Sequence, residues 1–424
     1  MLLDISPLRR HRDFRLLFIG QFVSFFGSML TYVAVPYQLY QLTGSSLMVG
    51  LLGTVQLVPL LVFGLWGGAY ADALDRRRLL IGAEALLTLI SGALAVNARL
   101  SHPSVAAIFV LTALMSAVNG FHRPTLEAMS PTLVDRDELP ATAALASLRG
   151  SLGAVAGPAI GGFCIARLGS SATYLVDVVT FLVSLVALAG MQAMPPAADA
   201  AKPGLRSIVE GIDFARRRPE LIGTYIVDIV AMTFAMPTAL FPAMAQRWGG
   251  ATAAGWLYSA MPIGSFATTL FSGWTKHVRR RGAAVIVAAA GWGVAIVALG
   301  RASSLGAAMA CLALAGAADM VSALFRMTIW NETIPASLRG RLAGLEMISY
   351  MTGPLLGNAR AGWMASVRSV GFSVVSGGVI CVAGVLLCIP LLPAFWRYRP
   401  SEAGEAGAGV ASPEGGPGPA VDAS

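Results

Sequence analysis

Three aspartates stand inside long apolar runs: Asp177, Asp228 and Asp319. A charged side chain at bilayer depth costs about 3 kcal/mol or more, so each is a functional residue by default. The chemistry open to a buried carboxyl is reversible protonation, which proton coupling requires, or contact with a cation. Asp228 and Asp319 fall deepest, and for them coupling stands against a buried structural hydrogen bond. Asp177 falls toward the end of its run that water can reach. Asp319 and Arg326 are seven apart and share a helical face, so they can point at one cavity. Arg123 and Glu127, four apart, can pair on one face. Arg149 lies two turns into its run, Glu346 one turn and Arg360 late. Arg123, Glu127, Arg149, Arg326 and Glu346 lie near run ends and read as gate or loop-clamp ion pairs before substrate contacts. Gln21, Tyr32, Gln56, Asn119 and Trp256 are candidates as a group to line a polar cavity, against helix packing.

Other chemistries find no support. No GxxxxGK[ST] loop occurs, which excludes a phosphate cradle of that type. His11, His102, His122 and His277 are isolated and near loops, so metal and Ser-His-Asp chemistry have no constellation, and neither metal nor cofactor is expected. Cys164, Cys311, Cys381 and Cys388 lie in apolar stretches and read as buried thiols. The net charge of +8 is scattered between apolar runs without a basic, aromatic-interleaved patch, so no nucleic-acid partner is expected.

The elements that must position these residues follow from composition. Of 424 residues only 12% are charged and 56% are hydrophobic. An ordinary soluble chain carries about 25% charged residues. A soluble enzyme, a disordered protein and a disulfide scaffold are excluded, leaving a polytopic membrane protein. Twelve apolar segments can be counted: Leu16–Leu39, Leu47–Ala71, Leu79–Ala98, Ser104–Phe121, Ala141–Ile165, Thr173–Met194, Leu221–Met244, Ala253–Thr275, Ala283–Gly300, Leu305–Phe325, Leu342–Ala365 and Phe372–Leu392. They lack period-two alternation, so an all-α protein of twelve transmembrane helices is expected rather than a barrel. With both termini on one side, 24 of the 30 basic residues fall on that side, five on the other, and Arg360 inside a span. Basic loops mark the cytoplasmic face, so both ends are expected there, with lipid as surroundings. An odd span count would destroy the split.

Residues 195–219 are polar, proline-bounded and basic, a cytoplasmic linker with a short amphipathic helix expected over Leu205–Arg217. Residues 400–424 are low-complexity and read as a disordered tail. The linker divides six spans (1–194) from six (220–399). Matched landmarks support a duplication: Pro36 with Pro237, Gly50 and Pro59 with Gly255 and Pro262, and Gly157-Pro158 with Gly353-Pro354, at offsets of 196 to 205. Parallel six-helix halves related by an axis along the membrane normal are a transporter architecture.

Two motifs complete the picture. The loop Gly67–Arg78 (GGAYADALDRRR) ends a helix in small residues and presents Asp72 to a helix N-terminus or basic partner, with Arg76 and Arg77 anchoring it. In Gly153–Gly162 (GAVAGPAIGG), Gly153, Gly157 and Gly161 share a face for close helix packing or sliding, and Pro158 kinks the helix.

The first resembles the loop signature of the major facilitator superfamily. Gly68, Asp72, Arg76 and Arg77 match, whereas Ala73 and Asp75 replace the usual Arg and Gly. The second resembles the antiporter motif of that superfamily's exporters at Gly153, Gly157, Pro158, Gly161 and Gly162. Ala34–Leu52, Phe241–Ser265 and Glu332–Leu345 are similar to segments of its enterobactin-exporter-like branch, which includes siderophore exporters and drug efflux pumps. The resemblance implies a monomeric exporter of small amphipathic molecules in a bacterial inner membrane, driven by proton entry. An importer or uniporter of the same fold remains an alternative, as does, in another class, a polytopic membrane enzyme or sensor.

Overall fold

A computed structural model describes residues 4–194, 213–335 and 339–399, with the backbone alone at 65–73, 339–341 and 343–349. The expected linker helix, apart from its last residues, and the tail lie outside the described residues. Among those described, the regular structure is helical. After a short helix, Ser6–Arg10, come α1 (Arg12–Thr43), α2 (Ser46–Ala73), α3 (Arg76–Arg99) and α4 (Val105–Met129). The stretch Leu139–Ala189 is broken at Gly169, where φ is +81°, into α5 (139–168) and α6 (170–189). Then follow α7 (Pro219–Ala245), α8 (Ala251–Leu270), α9 (Arg281–Leu299), α10 (Leu305–Thr333), α11 (Arg339–Val367) and α12 (Val370–Leu391). Nine helical stretches among the described residues are long and apolar enough to cross a bilayer, with 136–189 counted as one of them.

The ends are set by local chemistry. Asp75, Ser104, Ser304 and Ser369 each accept a bond from the backbone N–H three residues on, capping α3, α4, α10 and α12. Gly44 at φ +63° closes α1, its N–H bonded to Tyr40 O at 2.7 Å. At Gly169 the chain reverses. Along α5, Gly153, Gly157 and Gly161 meet Phe25, Met29 and Leu30 of α1 in ascending order, while α6 descends it, Asp177 facing Gly27 and Ser184 facing Gly20.

The helix pairings repeat with a shift of six. α1 packs on α5, α2 on α4 and α3 on α6; α7 packs on α11, α8 on α10 and α9 on α12. Between the two sets, α2 meets α11 and α5 meets α8. The glycine contacts that bridge the sets lie at the end opposite the N-terminus. A Cβ on Gly50 would stand 3.1 Å from Gly362 Cα, and one on Gly162 would stand 2.7 Å from Gly255 Cα. These backbones touch because neither partner has a side chain.

Candidate functional site

A cavity of about 470 Å³ lies between the two sets of helices. Its inner end is floored by Val35, Val49 and Tyr258, which are buried, while Arg123 and Glu127 at the N-terminal end are exposed. The cavity is therefore shut at the glycine contacts and open at the end rich in basic loops. Gln21, Tyr32, Gln56 and Asn119 line it as expected. Trp256 does not: its side chain is 42% exposed and lies off the cavity, so that expectation is corrected. Helical phase explains the error, because Tyr258, two residues on, takes the inward face and stacks edge-on against Tyr32 at 5.3 Å.

α7 breaks at Met236–Pro237, and the cavity is built around the break. Asn358 Oδ1 accepts from Thr238 Oγ1 at 2.7 Å and from Ala239 N at 3.0 Å, and Tyr258 OH donates to Thr238 O at 3.0 Å. Irregular backbone inside a bilayer is tolerated where it lines a cavity and its polar groups are bonded, and Thr238, Ala239 and Asn358 meet both conditions.

Two acids in the first set of helices are completely buried. Asp177 accepts from Thr31 Oγ1 at 2.6 Å and Ser91 Oγ at 2.9 Å, with Thr180 Oγ1 at 3.4 Å. The expectation that water reaches Asp177 is overturned: α1, α3 and α6 converge on it and leave no exposed surface. The second acid, Glu84 of α3, was missed. It accepts from Gln21 Nε2 at 2.7 Å and from Ser24 Oγ at 3.1 Å, and His122 Nε2 stands 3.1 Å from it. Its signal was an acid six residues into the third apolar segment, opposite a polar stripe on α1: Gln21, Ser24, Ser28 and Thr31.

In the second set, Asp228 of α7 is ion-paired to Arg326 Nη1, while Arg326 Nη2 lies 3.7 Å from Asp319 Oδ1. The expected sharing of a face by Asp319 and Arg326 holds, Arg326 being a partner of both acids, but neither residue lines the cavity. Nor are these the deepest acids, since the Asp319 side chain is 35% exposed. Arg123, Glu127 and Arg149 all line the cavity, and Arg123 and Glu127 make no ion pair within 4.0 Å among the described residues. The side chains of Asp72 and Glu346 lie outside the described residues.

The loop arginines grip their own half. Arg76 Nη1 donates to Ala128 O at 3.1 Å, and Arg77 donates to Leu188 O at 2.8 Å and Ala189 O at 2.7 Å. The last two carbonyls end α6, where a cation meets the negative end of the helix dipole. His11 is not isolated either: its Nε2 lies 2.6 Å from Glu138 Oε2, and Arg10 Nη1 reaches Glu138 Oε1 at 3.3 Å, tying the N-terminus to the turn before α5. In the glycine motif, Gly153, Gly157 and Gly161 pack on α1, whereas Gly162 and Pro158 O meet Gly255 of α8.

Residues 4–401 match the family model for the transmembrane secretion effector, MFS_3. The chain belongs to this major facilitator family. Across 393 residues it is 30% identical to proteins named "Enterobactin exporter EntS" from Shigella boydii and Escherichia coli, covering 92% of this chain and 94% of theirs. Among solved structures it is similar in fold to a peptide transporter POT in complex with sulfate, with TM-score 0.72 and 14% identity over 92% of this chain and 96% of that one. A POT family transporter in complex with 5-aminolevulinic acid is similar too, with TM-score 0.70 and 11% identity over 91% and 97%. The family places the chain among multi-pass membrane transporters, which are not enzymes.

Proposed function

We propose that the chain exports a small amphipathic molecule, of siderophore, macrolide or drug-like type, across the bacterial inner membrane by alternating access coupled to proton entry. The observation that carries this reading is the cavity between two sets of helices with matching internal pairings, sealed at one end by bare backbone contacts and open at the other. Twelve spans form two parallel six-helix halves, 1–194 and 220–399, joined by the cytoplasmic linker 195–219 and followed by a cytoplasmic tail, 400–424. A monomer suffices, because the cavity is enclosed within one chain. The basic end faces the cytoplasm, so the form described is inward-open and ready to load cargo.

Neutral hydrogen-bonding groups and apolar walls suit a cargo with both characters. Glu127 with Arg123 and Arg149 forms the cytoplasmic mouth, and Asp72, Arg76, Arg77 and Glu346 belong to the same gate. When the mouth closes, the arginine loops brace it; in the inward-open form they are bound within their own half. Carboxyls within the helices, with Asp177, Asp228 and Asp319 as candidates, supply the proton chemistry. Inverted membrane vesicles given a proton gradient and enterobactin, the cargo named for the relatives, test the reading. Gradient-dependent accumulation inside the vesicles is expected. Accumulation that ignores the gradient sinks antiport, and outward movement under the same gradient supports the importer alternative.

A further inference from the structure

We propose that Glu84 and His122 together form the coupling proton's binding site at the wall of the cargo cavity, an inference that rests on the antiport reading. The geometry separates this pair from the other buried acids. Gln21, Ser24 and His122 touch Glu84 on one side and line the cavity on the other. Asp177 reaches the cavity wall through Thr31, and neither Asp228 nor Asp319 is among the lining residues. Glu84 thus reaches the cavity wall through three side chains where Asp177 reaches it through one, and it has no exposed surface of its own.

Gln21 and Ser24 donate to the Glu84 carboxylate and His122 Nε2 faces it, an arrangement that suits the anion. The imidazole beside it can carry the proton on either ring nitrogen or on both. His122 meets Glu84 through Nε2, its side chain lines the cavity, and among the described residues no second hydrogen bond engages the ring. With both nitrogens protonated, the pair is an imidazolium against a carboxylate and carries no net charge. Loss of one ring proton to cavity water breaks an N–H bond, forms an O–H bond of hydronium and leaves one negative charge in a low-dielectric wall, held by the Gln21 and Ser24 donors.

That charge is costly unless something in the cavity compensates for it. A cargo that hydrogen-bonds the wall through Gln21, Ser24 and the freed ring nitrogen does so, and it therefore competes with the proton. Opening at the far end lets external water restore the N–H bond and release the cargo.

The other charged or titratable groups on the surrounding helices are Asp177 of α6, which senses Glu84 electrostatically, Arg123 and Glu127 of α4, Arg149 of α5, and Tyr32 of α1. Gln21, Ser24 and Ser184 complete the shell without ionising.

The full chain in proteoliposomes, with enterobactin as the probe, decides the matter. Transport is measured with and without an imposed pH gradient for wild type, Glu84→Gln and His122→Gln. The expected result is that gradient stimulation, at least tenfold in wild type, falls to about onefold in both variants. A merely structural role lowers both rates together and keeps the ratio, which overturns the proposal, as does an unchanged ratio at full rate.

Should either variant fail to elute as a monodisperse protein, histidine-labelled wild type in nanodiscs supplies the second measurement. The His122 nitrogen resonances are expected to titrate and to shift when enterobactin is added. A ring that does neither overturns the proposal. If wild type shows no gradient stimulation, antiport fails, and the resonances still decide whether the pair binds a proton that the probe displaces.

Discussion

The two halves hold their buried acids in different ways. In the first, Glu84 and Asp177 are bound by hydroxyls, an amide and an imidazole, groups that carry no fixed charge. In the second, Asp228 and Asp319 share the fixed charge of Arg326. A carboxyl among neutral donors can change its protonation state and keep its partners, because hydroxyls and amides turn to suit. A carboxyl against a guanidinium does so only by leaving an uncompensated cation in the bilayer interior. The first half therefore surrounds its acids with partners of no fixed charge, whereas the second sets them against a guanidinium.

The sharpest way to break this contrast is Arg326→Ala. It leaves Asp228, which is nearly buried, without its counter-charge, and removing one partner of a buried pair costs ~3–5 kcal/mol. Thermal unfolding in detergent is expected to show a large loss of stability, partly restored in the double variant with Asp228→Asn. If the single variant unfolds with wild type, the second half does not depend on its ion pairs and the contrast is lost. Asp177→Asn comes next, at about 1–3 kcal/mol, because its hydroxyl donors can rearrange around an amide. A loss equal to that of Arg326→Ala would show that both halves are charge-locked.

The contrast was only half legible in the sequence. The apolar segments came out as helices, with ends up to eight residues from those expected, because apolar runs of about 20 residues admit few alternatives. Reading an acid's depth from its distance to a span end ranked Asp319 too deep and Asp177 too shallow. Burial depends on which neighbours converge, and Asp177 is sealed by α1 and α3, more than 80 residues away in sequence. His122 looked isolated for the same reason, since its partner is 38 residues distant on another helix. Glu84 was legible, standing inside an apolar run opposite a polar stripe on α1. The break in α7 was marked by Pro237, but its cap, Asn358, is a pairing between distant helices.

The contact between halves is a second comparison, between glycines of one motif. Gly161 packs on α1 within its half, while Gly162 touches α8 across the seal. Gly162→Ala places a Cβ 2.5 Å from Ala251 O, against backbone that cannot swing aside. Overpacking of this kind costs about 1–3 kcal/mol. It is expected to push the population toward the form open at the far end, about tenfold, read as faster labelling of Ala251→Cys by a membrane-impermeant maleimide. Gly161→Ala meets Leu30 inside one half, so it should lower stability without changing that labelling. Equal labelling in both would mean that the seal is not made at Gly162.

The smallest effect is expected at Trp256, and it sharpens the comparison of cavity wall with outer surface. Successive residues on a helix turn by about 100°, so Trp256 and Tyr258 face nearly opposite ways. Tyr258 is buried, lines the cavity and holds the carbonyl of Thr238 at the break in α7. Trp256 is exposed and makes no hydrogen bond or ring contact among the described residues. Tyr258→Phe removes a buried bond worth about 1 kcal/mol and frees a backbone oxygen at the cavity wall, so enterobactin transport should fall several-fold. Trp256→Ala removes only surface that lipid already covers, so transport should stay within about twofold and stability within about 0.5 kcal/mol. The reverse ranking would turn α8 by half a revolution, which the Gly255 and Gly264 contacts on its other flanks do not permit; those contacts, and with them the seal and the cavity, would then have to be wrong together.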